Sequence, residues 1–278
     1  MVDKICDDIF EKSNADMPVN ENDFVGEDGL MYCGKCRTAK QTRVVFGGKE
    51  ITPYIQCKCE QERIDREEQA RKVHERQMMI DRNRAACFPD KELITWRFEV
   101  ADADSSSFLS VKKYAENFPQ MYKDGCGIML YGSVGVGKTF AAACAANAVV
   151  DQGYTAHMTD FSRIINTLWG LKEGRQEYLD SLNRYDLLVI DDLAAERDTD
   201  YANEIVVNVI DSRCKSGKPV IITTNLSAEE LFKAADIRKK RIYSRLFEMC
   251  VPIKYTGQDR RMKKMAINIE KYKNMLGI

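Results

Sequence analysis

From residue 126 onward, short apolar runs alternate with amphipathic stretches, and this alternation predicts strands separated by helices. GIMLYG (127–132) reads as a buried strand, and TFAAACAANAVVDQG, closed by Gly153, as the helix that follows. YTAHM (154–158) is a short strand, and DFSRIINTLWG (160–170) a helix capped by Asp160. DLLVID (186–191) is the most strand-like segment of the chain. YANEIVVNVIDSRCKSG (201–217) then reads as a helix ending at Gly217, and PVIITTN (219–225) as another strand. SAEE (227–230) is a capping box that opens the next helix. Strands joined through helices make βαβ units, so the fold class is α/β with a parallel sheet flanked by helices.

Upstream the pattern changes. Residues 60–84 hold fourteen charged side chains in twenty-five, seven of each sign. Glu62–Arg66, Glu67–Arg71 and Glu68–Lys72 stand at i,i+4 with the acid first, the favourable order. No apolar heptad is sustained, so a solvated connecting helix is expected and a long coiled coil is not. Three parts follow: an acidic segment with a cysteine module (1–59), a charged linker helix (60–94) and an α/β domain (95–278).

A length of 278 residues leaves room for one domain of about 150–200 residues and a smaller module. No apolar run approaches the roughly 20 residues that span a bilayer. The N-terminus lacks a signal-peptide pattern, which points to the cytoplasm and away from membranes. Ten cysteines in such a chain are expected to stay reduced, as metal ligands or buried thiols. The net charge of −1 hides an asymmetry: nine Asp/Glu against two Lys/Arg in residues 1–30, and thirteen Lys/Arg against four in 233–278. Two solvated surfaces would account for that; so would an acidic arm for a protein partner and a basic end near phosphates.

Four of the thiols are paired. Cys33 and Cys36 form C-x₂-C, and twenty residues later Cys57 and Cys59 form C-x-C. The spacing resembles a zinc ribbon, whose two knuckles close a tetrahedral Cys₄ site around a structural Zn²⁺. Four unrelated buried thiols is the alternative; Cys6, Cys87, Cys126, Cys144, Cys214 and Cys250 show no such pairing.

GSVGVGKT (132–139) fits G-x-x-x-x-G-K-[ST], directly after a strand and directly before a helix. Gly132, Gly135 and Gly137, with Ser133, Val134 and Val136 between them, let backbone N–H groups face the phosphates of ATP. The helix that starts here adds its positive end. Lys138 is placed to reach the β/γ-phosphates and the Thr139 hydroxyl to ligate Mg²⁺; Phe140 follows at once. LLVIDDL delivers Asp191 to a strand end to hold the Mg²⁺ shell, with Asp192 as the carboxylate that polarises water. Asn225, at the end of VIITTN, is a third strand-end polar group, suited to orient that water. In RKKRIYSRL, Arg241 and Arg245 share one helical face, either as a solvated or DNA-facing basic surface or as arginine fingers directed at a neighbouring subunit.

YCGKC…CKCE, ACFPD…TWRFE, GSVGVGKT, LLVIDDL, NEIVVNVIDSR, VIITTNLS and RIYSRL together resemble the DnaC/DnaI-type helicase loaders, a branch of the AAA+ ATPases, from Cys33 to about Arg261. The resemblance implies a Walker A motif at Lys138 and Thr139, Walker B at Asp191 and Asp192, and sensor 1 at Asn225. It makes Arg245 the trans-acting finger with Arg241 its companion, and places sensor 2 on Arg261. It also implies a slow ATPase that binds a hexameric replicative helicase, associates with itself when ATP is bound, and contacts single-stranded DNA through residues 160–184. There Arg163, Lys172 and Arg175 would track phosphates and Phe161 and Trp169 would stack on bases, although Phe161, Ile164, Ile165, Leu168 and Trp169 equally form a core stripe. The nearest alternative on the same fold is an IstB-like ATPase helper of a transposase.

Overall fold

The computed structural model describes residues 18–257 apart from 47, 101–104, 195–198 and 234–235, together with 259 and, further on, 265, 269, 272–273 and 275–276. It divides into two compact units, Met1–Arg76 and Gln77–Ile278. The acidic residues of 1–17, Cys6 and Arg261 lie outside the described residues.

Among its described residues the first unit has little apolar interior. β1 (Phe24–Val25) pairs antiparallel with β2 (Met31–Tyr32), and β3 (Val44–Phe46) with β4 (Lys49–Ile51). Its buried side chains include Leu30, Cys33, Cys57 and Lys40. Lys40 is held 2.6 Å from Asp23, and Asp23 also accepts from the backbone of Gly34, between the first two cysteines. Hydrogen bonds from Asn20, Lys40 and Gly34 keep the Asp23 carboxyl at about 2. Buried charge is tolerated here because each partner is satisfied. Helix α1 (Lys58–Cys87) starts before Cys59, which therefore sits in its first turn, and stops before Pro89. Its Glu68–Lys72 pair forms at 2.7 Å, whereas Arg66 bonds the Glu62 backbone carbonyl and Arg71 pairs with Glu75.

In the second unit, two 3₁₀ turns (Lys91–Thr95 and Phe98–Val100) lead into α2 (Ser106–Glu116) and α3 (Phe118–Asp124). Then come β5 (Gly127–Tyr131), α4 (Lys138–Asp151), β6 (Ala156–Asp160), α5 (Phe161–Gly170), α6 (Arg175–Leu182), β7 (Leu187–Leu193) and α7 (Asp200–Ser216). The unit continues with β8 (Val220–Thr224), α8 (Ala228–Phe232), α9 (Ile237–Met249) and β9 (Cys250–Lys254). The five strands form one parallel sheet in the order β6-β7-β8-β5-β9.

Buried on both faces, the central strands are apolar runs rather than alternating ones. One face packs against α2 and α4, where Ala141–Ala146 bring the helix backbone close; the other packs against α5, α7 and α9. The caps read from sequence are present: Asp160 accepts from Arg163 N–H, Ser227 and Glu230 close a capping box, and Gly217 ends α7 with φ 64°. The connection from β5 runs across the sheet to the edge strand β6, whereas that from β8 passes over β5 to β9, so the winding reverses beside β5. A crevice opens at the carboxyl ends of strands around such a reversal, and ligands of open α/β sheets bind there.

Candidate functional site

The loop after β5 crosses that crevice. Gly132 has φ 136° and lies so close to the carbonyl of Tyr255 that a Cβ would collide with it. Gly137, with φ 99°, turns the chain into α4, where Lys138 and Thr139 occupy the first turn. Ser133 and Val134 are exposed on the rim of the loop, and Val136 is buried beneath it. The Phe140 ring joins an aromatic cluster with Trp96, at 5.3 Å, and Phe108, at 6.2 Å. The 91–100 segment is anchored next to it by buried Asn147, whose amide donates to the carbonyls of Leu93 and Trp96.

Lys138 is 5 % exposed, and its ammonium donates to the carbonyls of Gly132 and Ser133 and, at 2.8 Å, to Oδ1 of Asn225. Asn225 in turn donates from Nδ2 to Asp192 at 3.2 Å. Thr139 donates to Asp191 at 3.0 Å. Asn225 follows β8 and the two aspartates end β7, so neighbouring strand ends meet the P-loop at one point. Burial pushes the Asp191 carboxyl above its ordinary range; the Thr223 hydroxyl bond opposes this, the Asp192 charge adds to it, and Thr139 opposes it too. A desolvated carboxylate beside a hydroxyl fits a Mg²⁺ ligand set.

Two features of the site were not legible in the motifs. Thr223 donates to Asp191 and accepts from the backbone N–H of Asp192, so a single hydroxyl fixes both acids. The signal was a hydroxyl inside an otherwise apolar strand. Asp192 also adopts φ 53° at an irregularity between Ile190 and Leu193. Asp tolerates the left-handed region better than a longer or branched side chain does, which accounts for the short acid at this position.

Arg241 and Arg245 both lie on the exposed face of α9, away from Lys138's hydrogen-bond network, and both reach Asp211 of α7, at 2.8 and 3.4 Å. Arg245 also pairs with Glu248.

The 160–184 segment splits into buried and exposed parts. Phe161 is 1 % exposed and Ile164 and Leu168 are buried with it, so the stripe is core, whereas Trp169 is 73 % exposed. Burial removes Phe161 from any role as a base-stacking platform. Trp169 meets Tyr201 edge-on at 5.4 Å, and the two line an open cleft of about 510 Å³ with Ser162, Asn166 and Thr199. Tyr201 was read from sequence only as the start of a helix. Arg163 pairs with Asp160 and Asp90, while Lys172 and Arg175 are exposed.

In the first unit the sulfurs of Cys33, Cys36, Cys57 and Cys59 lie within 4.8 Å of one another, with Cys59 3.5 Å from both Cys33 and Cys57. Sulfurs about 2.3 Å from a shared tetrahedral ion stand about 3.8 Å apart, so the cluster has the dimensions of a Zn²⁺ site. The Thr38 hydroxyl and nearby backbone N–H groups pull Cys36 down to about 5, and its sulfur neighbours push Cys59 up to about 12. Four thiol sulfurs this close are a ligand set for a divalent cation, which binds them as thiolates.

Residues 56–267 match the family of IstB-like ATP binding proteins. The replicative helicase loader DnaI of Bacillus subtilis is 25 % identical over 186 residues, which are 62 % of this chain and 60 % of DnaI. An ATP-binding protein of an insertion sequence in Mycobacterium tuberculosis is 32 % identical over 107 residues, 36 % of this chain and 41 % of that protein. The crystal structure of the DnaC helicase loader superposes with a TM-score of 0.53 at 25 % identity, covering 60 % of this chain and all of that one. The chain thus spans well under two thirds of the curated relatives it matches. Among the described residues no helix is long and apolar enough to cross a membrane. A P-loop on a five-stranded parallel sheet, with acids and an asparagine at the adjoining strand ends and a family match over more than half its length, makes this chain a member of the IstB-like, DnaC-type AAA+ ATP-binding proteins.

Proposed function

We propose that this chain is an ATP-hydrolysing helicase loader that engages a hexameric replicative helicase and helps deliver it onto single-stranded DNA. The observation that carries the ATPase reading is the hydrogen-bonded path Lys138–Asn225–Asp192 beside the Thr139–Asp191 pair. Lys138 exchanges its contact with Asn225 for the β/γ-phosphates. The freed Asn225 then orients the attacking water and Asp192 polarises it; Thr139 and Asp191 would hold Mg²⁺, which would supply neutralisation of phosphate charge. Gly132, Ser133, Val134, Gly135, Val136 and Gly137 supply the backbone cradle, Phe140 and Arg261 complete the nucleotide site, and Arg245, with Arg241, comes from a neighbouring copy.

The loader reading is favoured by the match to DnaI, which is longer than the match to the insertion-sequence protein, and by the cysteine cluster ahead of the ATPase. In this reading residues 1–59 are a docking head built on one structural Zn²⁺, 60–94 a linker, and 95–278 the motor. The Trp169–Tyr201 cleft takes bases, and Arg163, Lys172 and Arg175 follow the strand's phosphates.

A second reading, a transposase helper, is favoured by the higher identity to the insertion-sequence protein. Capture of purified hexameric helicase by the full chain, dependent on ATP and lost with Cys33→Ser/Cys36→Ser, is the expected result. Capture of a transposase instead would replace the loader reading with the second.

A further inference from the structure

A guanidinium that serves another subunit's ATP cannot be aimed by its own nucleotide. It has to be presented from the surface already oriented, and a free arginine side chain is among the most mobile there is. Here α7 supplies a carboxylate that meets both arginines of α9. Asp211, at 17 % exposure, accepts from Arg241 Nη2 through Oδ2 and faces Arg245 Nε through Oδ1, one oxygen for each arginine. Glu248 holds the Nη1 end of Arg245 at 2.8 Å, so both ends of the planar group are fixed.

Asp211 is itself rigidly mounted. Two residues on, Arg213 is 1 % exposed and donates to the carbonyls of Tyr185, Asp186 and Pro219, tying the end of α7 to the approaches of β7 and β8. At the other end of α7, Asp200 pairs with Arg238, so α9 forms ion pairs with residues near both ends of α7.

We infer that Asp211 is a positioning residue for the trans-acting arginines: it holds Arg241 and Arg245 in one fixed fan on the edge of the ATPase unit. The inference rests on the proposed finger role of Arg245. It has a direct competitor, since a carboxylate between two arginines can equally act as a brake that keeps them from the neighbouring site.

The test uses the full chain with ATP, Mg²⁺ and single-stranded DNA, reading phosphate release, fluorescent-ATP affinity and melting temperature. Asp211→Asn should lower kcat about tenfold at unchanged ATP affinity and melting temperature, and Asp211→Glu should restore part of the loss. Mixing Asp211→Asn with Lys138→Ala subunits should recover activity, because the Lys138→Ala copy presents intact arginines to an intact P-loop. Mixing Asp211→Asn with Arg245→Ala should recover none. Full activity of Arg245→Ala alone would remove the finger reading itself. Loss in Arg245→Ala with a normal Asp211→Asn would leave the finger and overturn the Asp211 inference, as would a rise in kcat, the mark of a brake. Equal loss in Asp211→Asn and its Lys138→Ala mixture would also overturn it.

Discussion

The ammonium of Lys138 lies 2.8 Å from the side-chain oxygen of Asn225, eighty-seven residues further along the chain. In the proposed mechanism that contact joins the group that would grip phosphate to the group that would present water, so nucleotide entry and water placement would be one event. Asn225→Ala should therefore leave ATP affinity within a few-fold and lower kcat by about 10²-fold, in the range seen when one preorganised polar contact to a developing charge is removed. Lys138→Ala should weaken binding as well. Nucleotide titration and single-turnover hydrolysis separate the two, and a normal kcat in Asn225→Ala would rule out the coupled path.

Asp191 and Asp192 share the Thr223 hydroxyl, and the proposed mechanism gives them different work. Asp191→Asn should raise the Mg²⁺ concentration needed for half-maximal turnover. Asp192→Asn should keep that requirement and lose turnover. A Mg²⁺ titration of both variants checks this, and identical midpoints would mean the two acids are not divided as described.

The cysteine cluster should carry one zinc per chain. The first unit buries few apolar side chains, and a structural zinc contributes about 10–16 kcal/mol of apparent stability. Chelation of the full chain should release one equivalent of zinc and unfold the first unit while ATP binding persists. Zinc-free protein by elemental analysis, purified without chelator, would end this reading.

Exposed Trp169 and half-buried Tyr201 meet edge-on and line an open cleft. Base stacking is worth about 1–3 kcal/mol per base, so Trp169→Ala should weaken single-strand binding by about 5- to 150-fold at constant salt. Lys172→Ala/Arg175→Ala should instead flatten the salt dependence. Fluorescence anisotropy at several salt concentrations distinguishes stacking from charge, and an unaffected Trp169→Ala would assign the cleft elsewhere.

Among the described residues Arg213 is the largest fully buried side chain, and burial pulls its guanidinium down to about 10. Its hydrogen bonds run to the backbone carbonyls of Tyr185, Asp186 and Pro219. Arg213→Met should destabilise the ATPase unit by about 3 kcal/mol or more, since each abandoned acceptor costs about 1–3 kcal/mol. Denaturant unfolding checks this, and a loss below 1 kcal/mol would show that the loops repack.

What the sequence determined by itself is local chemistry. The glycine loop between a strand and a helix, the run of apolar residues that delivers Asp191, the caps at Asp160 and Ser227 and the paired cysteines are all encoded within a few residues, because turn geometry and periodicity are short-range. The tertiary structure decided what depends on distant residues meeting. The order β6-β7-β8-β5-β9 brings Asn225 to Lys138 and Thr223 to the acids. The same packing sends Phe161 into the core and leaves Trp169, eight residues later, on the surface beside Tyr201. Helical periodicity could not separate those two, since a stripe records which residues share a face but not where the opposing surface ends. Asp211 was only another polar position in a helix until α9 crossed α7 and set two arginines on it.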